Sequence, residues 1–171
     1  MAMEALVKPL IRLPLFRGLS PYLISEIACR AERVIYQPGS FLITEDEAAD
    51  AAIVIVSGSC VQLSTEAVVN TGHPISEGAM LAEMAMLVET IHTSSVVARS
   101  PVKALRIARE ELHAIMAEEP ELAAHFSRII TNRLLLVASE LRDVDKRISN
   151  AFAHAHTGPA SIAHETSAAL H

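Results

Sequence analysis

Tryptophan is absent and aromatic residues make up only 4% of the chain. Its core must therefore be built from Leu, Ile, Val, Ala and Met, within an apolar share of 51%. Cysteine is scarce: Cys29 and Cys60 are the two thiols, and no Cys-x-x-Cys pair exists. That excludes a disulfide framework and a thiolate metal knuckle. Both thiols are expected in the core as small apolar residues, in a reducing, cytoplasmic compartment. Positive charge is also in short supply, with a net charge of -6. Such a chain lacks the broad basic field on which nucleic-acid affinity depends, so no nucleic-acid partner is expected. No apolar run reaches the ~20 residues of a membrane span, and no basic segment leads into an apolar one at the start. Neither a membrane partner nor a signal peptide is expected. The 171 residues suffice for one domain with a proper core.

What is present changes character along the chain. Residues 3–13 read as a short amphipathic helix, shortened or kinked by Pro9. Ser20 and Pro21 supply a good N-cap and first turn for a second helix, over Pro21–Cys29. The period then drops to that of strands. Ala31–Tyr36, Phe41–Thr44, Ala52–Val56 and Cys60–Ser64 are short runs separated by turn residues. The tight Ser57-Gly58-Ser59 turn predicts that the last two pair as a hairpin. After a less regular stretch with Val68, Gly72 and Pro74, Ser94–Ala98 and Val102–Ile107 read as two more strands. Many short strands with regular turn signals and no βαβ alternation indicate a closed sandwich or barrel.

Between those strands lies Gly78–Ala98, a turn, one short helix and a loop. A helix N-terminus at Ala82-Glu83 offers unpaired N–H groups to an anion. The Glu83 carboxylate at the same point can hold a hydroxyl, or simply cap the helix. Anion plus hydroxyl describes a sugar phosphate.

After Ile107 the chain is helical. Arg109–Glu118 is one helix, and Pro120 opens another that runs to about Asn150. Within it Ile130, Leu134, Val137, Leu141, Val144 and Ile148 are spaced 4, 3, 4, 3, 4. That is the seam of a two-stranded coiled coil and predicts a homodimer. Leu122, Phe126 and Ile129 are expected to face the chain's own barrel. From Ala151 onward the Ala, His, Ser and Thr composition reads as a flexible tail whose histidines lack a complete metal set.

Several stretches together carry a family resemblance: Pro14–Ser20, Tyr36–Ile43, Ile53–Ser59 with its turn glycine Gly58, and Glu77–Leu87. In this order, followed by a long helix, they resemble the cyclic nucleotide-binding domain of bacterial catabolite activators, cyclic-nucleotide-gated channels and kinase regulatory subunits. The resemblance spans about Leu15 to Ile148. It implies a mainly β fold with flanking helices: an eight-stranded jelly-roll barrel followed by a long C-terminal dimerisation helix. The organisation would be 1–30 N-terminal helices, 31–107 jelly roll with a phosphate-binding cassette at 78–98, 108–150 C-terminal helices, and 151–171 tail.

The resemblance also implies a pocket for cyclic AMP or cyclic GMP, with no cofactor required and no catalysis. Its ligand-binding residues would be Met80, Leu81, Ala82, Glu83, Met84, His92, Thr93 and, as a lid, Val137. Its dimer interface would be Leu134, Val137, Leu141, Val144 and Ile148. Glu83 matches the family's ribose-binding glutamate. Several positions depart from the pattern, among them Val137 and Ala138, which lack the hydroxyls that the family's lid helix offers to the base. Ala82 and Asp46 stand where the family has glycine, and His92 stands where it has the phosphate-binding arginine. Arginine presents a permanently charged fork of donors, whereas histidine offers at most two N–H groups. Two readings follow. Either the pocket still holds a cyclic nucleotide weakly, through Glu83, Thr93, the N–H groups at 82–84 and a charged His92. Or it takes another small ligand or none, and the domain serves as a dimeric interaction module for an unknown protein partner. Catabolite activators carry a helix-turn-helix after the long helix, and residues 151–171 hold no such pattern. A transcription regulator lacking or separated from that module is therefore the alternative to a stand-alone sensing domain.

Overall fold

A computed structural model describes residues 2–63 and 72–155. It comprises two units, 1–129 and 130–171.

Two helices open the first unit. The first, α1 (Ala2–Ile11), continues past Pro9. The second, α2 (Pro21–Arg30), starts as its sequence requires. Ser20 is extended, its hydroxyl accepts from Leu23 N at 3.4 Å, and Pro21 fills the first turn. Ten short strands follow: β1 (Glu32–Tyr36), β2 (Phe41–Ile43), β3 (Ala48–Ala49), β4 (Ala51–Ser57), β5 (Cys60–Leu63), β6 (His73–Ile75), β7 (Met80–Leu81), β8 (Thr90–Ile91), β9 (Ser95–Ala98) and β10 (Val102–Ala108). Two helices close the order, α3 (Arg109–Glu118) and α4 (Pro120–Ala155). The last runs beyond the expected end at Asn150; residues 156–171, which hold the rest of the expected tail, lie outside the described residues.

The strand pairing is nested. β1 pairs with β10, β2 with β9, β3 with β8, β4 with β7 and β5 with β6, all antiparallel. The chain behaves as one long hairpin that has been rolled up. Rolling adds the β10–β4 and β5–β9 contacts. The result is two four-stranded sheets, β1-β10-β4-β7 and β2-β9-β5-β6, with a two-stranded ribbon β3-β8. The mainly β jelly roll with flanking helices is thus the observed fold, its eight strands being those of the two larger sheets.

One sequence-based expectation is overturned here. Cys60–Leu63 is not the hairpin partner of the preceding strand, because β4 and β5 lie in different sheets. The Ser57-Gly58-Ser59 turn carries the chain across the sandwich instead. It is held by the opposite crossing: Ser59 N donates to Ser100 Oγ (3.0 Å) and Arg99 N to Ser59 O (2.9 Å). Gly58 has φ +100°, and a Cβ there would lie 2.5 Å from Pro101 O. Only glycine fits. Side-chain alternation reports which face of a strand is buried and is silent about which edge it pairs with.

The core has two layers. Between the sheets pack Leu42, Ile43, Ile53, Ile55, Cys60, Val96, Val102 and Ala104. The other face of the β4–β10 pair, with Ala52 and Val54 opposite Ile107 and Leu105, is equally buried. The helices α1, α2 and α3 cover it. Burial on both faces is why β4 reads as a continuous apolar run. Cys60 sits in this core, but Cys29 is exposed, contrary to expectation. It occupies the solvent side of α2, whose inner face is Leu23, Ile24, Ile27 and Ala28.

The first turns of α4 close the helical layer. Leu122 and Phe126 are fully buried, and the Phe126 ring meets Phe16 edge-on at 6.3 Å. His125 is buried beside them and bonds Leu15 O through Nε2 (2.9 Å). The contacts named here are with the N-terminal segment rather than with a strand. In the second unit Leu134, Val137, Leu141, Val144 and Ile148 all lie on α4, each at least half exposed.

Candidate ligand-binding site

The segment after β7 builds the site. Met80 and Leu81 pair with Val54 and Ile53, which anchors the chain to the sheet. Ala82 then turns it with φ 50° and ψ 41°, a left-handed conformation. Glu83–Met86 forms a single 3-10 turn, with Ala85 and Met86 buried beneath it. This is shorter than the helix expected from sequence. So few aligned peptide units produce only a weak dipole, and the anion cradle cannot rest on it alone.

On the return path His92, Thr93 and Ser94 precede β9, which starts at Ser95, one residue later than expected. The short β8 pairs Thr90 and Ile91 with Ala49 and Ala48. His92 is clasped through its backbone by the acidic loop: His92 N donates to Glu47 O (3.0 Å) and Asp46 N to His92 O (2.9 Å). Asp46 does this at φ 65°. Asp46 and Ala82 are the non-glycine residues with positive φ among those described. They are also the two positions that the resemblance sets in the place of a glycine, and both adopt a left-handed backbone that glycine takes more freely.

These segments enclose an open cavity of about 440 Å³, within the range of small-molecule pockets. Its apolar lining is Ile43, Met80, Leu81, Ala82, Met84, Ala85, Ile91 and Val96. Its polar lining is Gln62, Thr90, His92, Thr93 and Ser94. Of the residues expected to touch a ligand, Met80, Leu81, Ala82, Met84, His92 and Thr93 are brought together here. Glu83 stands between two lining residues but is not itself in the lining, and Val137 is outside it. Among the described residues the lining holds no Asp, Glu, Lys or Arg, and His92 is its one ionisable side chain. The arrangement can accept an apolar body and hydrogen-bond it at several points.

Sequence reasoning missed Ile43, Gln62, Ala85, Thr90, Ile91, Ser94 and Val96 of the lining, and the residues that brace it from α3. Gln62 lies in the cavity and donates from Nε2 to Ser94 Oγ (2.8 Å). Its signal was available: a period of two puts it on the same inward face as Cys60, where an apolar residue is the norm. Arg109 grips the wall from behind. Its Nη1 donates to Ala49 O (3.0 Å), Ala85 O (3.3 Å) and Val88 O (3.1 Å). One turn along α3, His113 Nε2 bonds Leu87 O (3.0 Å). The signal here is charge placement. A cation in the first turn of a helix opposes the helix dipole, while its neighbours Glu110 and Glu111 suit it.

Fold and cavity together define a helix-flanked jelly-roll domain with an open cavity of small-molecule size. The family model of the cyclic nucleotide-binding domain matches residues 33–119, half of the chain, and the chain belongs to that family. Among solved structures it is similar to a cyclic nucleotide-binding-like protein from Brucella abortus, at 27% identity and a TM-score of 0.60, over 66% of this chain and 97% of that one. It also shares the fold of the N-terminal domain of a transcriptional regulator from Streptomyces coelicolor, at 22% identity and a TM-score of 0.67, covering 74% and 91%. The Thermus thermophilus catabolite activator protein shares it too, at 23% identity and a TM-score of 0.59, covering 78% of this chain and 63% of that one. A comparison with curated proteins returned no match. Among the described residues no helix is long and apolar enough to cross a membrane.

Proposed function

We propose that the chain is a regulatory sensing domain for a cyclic nucleotide or a close analogue, with no catalytic step of its own. The observation that carries this reading is the cavity of about 440 Å³ walled by the 80–85 and 90–94 segments. The backbone around Ala82–Met84, with Thr93 and a charged His92, is assigned to the cyclic phosphate. Glu83, flanked by two lining residues, is assigned to the ribose hydroxyl. The likeness to the N-terminal domain of a transcriptional regulator favours transcription as the process regulated.

Calorimetric titration with cyclic AMP and cyclic GMP tests the reading. Exchanging an arginine fork for histidine removes a charge-assisted contact of a few kcal/mol. Wild type is therefore expected to bind weakly, and His92→Arg roughly 10²-fold more tightly. Silence in both proteins would overturn the cyclic-nucleotide reading.

The α4 stripe supports a second element. Leu134, Val137, Leu141, Val144 and Ile148 are 66%, 51%, 64%, 50% and 50% exposed. Leaving that row in water is unfavourable, and its heptad spacing suits a second copy. The domain is proposed to act as a homodimer through this seam.

A further inference from the structure

We propose that Gln62 selects the heterocycle of the ligand, favouring an edge with an adjacent N–H donor and ring-nitrogen acceptor, as adenine presents. This rests on the cyclic-nucleotide reading of the same cavity.

The strand register carries the argument. Ile43 of β2 is opposite Val96 of β9, and Val96 is opposite Gln62 of β5. The three side chains form one row across the sheet, and all three line the cavity. Such a row makes a floor that suits a planar ring, with a single amide at its far side; His73 of β6, opposite Gln62, is exposed and outside the lining. Ser94 is two residues before Val96 and so lies on the same face. Its Oγ accepts from Gln62 Nε2 at 2.8 Å. That bond orients the amide, which has a second N–H and a carbonyl oxygen beyond it.

The remaining polar groups cannot discriminate in this way. The hydroxyls of Thr90 and Thr93 rotate to donate or accept as a ligand requires. His92 and Thr93 are already assigned to the phosphate. A fixed amide presents one donor and one acceptor side by side, the pattern that glutamine uses to read adenine. Guanine carries the reverse order, an acceptor O6 outside the ring beside a donor N1–H within it, so an amide held in one orientation mismatches it; its paired N1–H and N2–H donors suit a carboxylate better.

The test is the ratio of affinities for cyclic AMP and cyclic GMP, measured on the full chain by calorimetry. Wild type is expected to favour cyclic AMP about 10-fold or more. Gln62→Met should bring the two ligands within about twofold. Gln62→Glu, with acceptors only, should move the preference at least 10-fold toward cyclic GMP. Its added negative charge weakens both ligands alike and cancels in the ratio, as does any loss of folded protein. A protein that binds, with the same ratio in wild type and both variants, would overturn the role of Gln62 alone. If wild type is silent, the same ratios are measured in the His92→Arg background; failure of both wild type and His92→Arg to bind either nucleotide at millimolar concentration would overturn the underlying reading and this inference with it.

Discussion

Arg109 Nη1 donates to Ala85 O across 3.3 Å and thereby fastens the cavity wall to the first residue of α3. The same nitrogen also serves Ala49 O and Val88 O, so one guanidinium satisfies carbonyls on both sides of the ligand-lining segment. Removing it leaves several carbonyls without their donor in a part-buried place. Arg109→Met should cost about 2–3 kcal/mol in urea denaturation. Arg109→Lys should recover less than half, because the lysine nitrogen ends one bond short of the position from which Nη1 reaches all three carbonyls. Amide exchange is expected to accelerate over residues 85–91 in Arg109→Met. Uniform acceleration along the chain would show that the grip is not local.

Ala82 holds a left-handed backbone without being glycine. For an L-residue that conformation costs roughly 1–2 kcal/mol, and a glycine returns part of the gain as unfolded-state entropy. Ala82→Gly should therefore stabilise the domain by about 0.5–1 kcal/mol, read from the shift in denaturation midpoint. Asp46→Gly should give less, since aspartate tolerates this region better. An unchanged or lowered midpoint in Ala82→Gly would mean that the Cβ makes contacts worth more than the strain.

Burial in the core pushes the Cys60 thiol above its ordinary value, and burial does the same to the Tyr36 hydroxyl. Both groups hold their proton longer in the folded state than in the unfolded one. Their contribution to stability is whole below the ordinary thiol and phenol values and is lost as pH rises through the folded ones. Stability should therefore fall on the alkaline side, and Cys60→Ala should flatten the early, thiol part of that fall. The same burial predicts a thiol count. Ellman's reagent should titrate one cysteine in the native chain, the exposed Cys29, and two after denaturation. Two fast thiols in the native protein would contradict the burial of Cys60.

Leu134 and Leu141 are one heptad apart on the exposed stripe of α4. A carboxylate at each places charge in the middle of any seam. The Leu134→Asp, Leu141→Asp double variant should elute as a monomer in size-exclusion chromatography while wild type elutes as a dimer. Identical elution of the two would reject the seam.

Much of this architecture is legible in the residues themselves. Ser20 and Pro21 start α2 because their caps are local. The apolar run of β4 marks a strand buried on both faces, and the heptad of α4 marks an exposed apolar stripe. Gly58 announces a turn that no other residue can make. Such features depend on neighbours within a few positions, so a linear reading suffices for them. The left-handed backbones of Asp46 and Ala82 were not visible in this way.

Tertiary structure alone decided the rest. Whether β4 pairs with β5 or with β10 and β7 depends on backbone groups that are the same in every residue, so side-chain pattern cannot choose. The cavity draws on β2, β5, β7, β9 and the turns between them. Gln62 and Ser94 are far apart in the chain and meet only because β5 and β9 are neighbours. Arg109 reaches three carbonyls from two separate segments, an arrangement that no spacing encodes. The sequence by itself determined the family, most strands and the exposed apolar stripe of α4, because those rest on local preference and periodicity. Which side chains converge on the cavity was settled by long-range pairing, because convergence is a property of the rolled-up sheet.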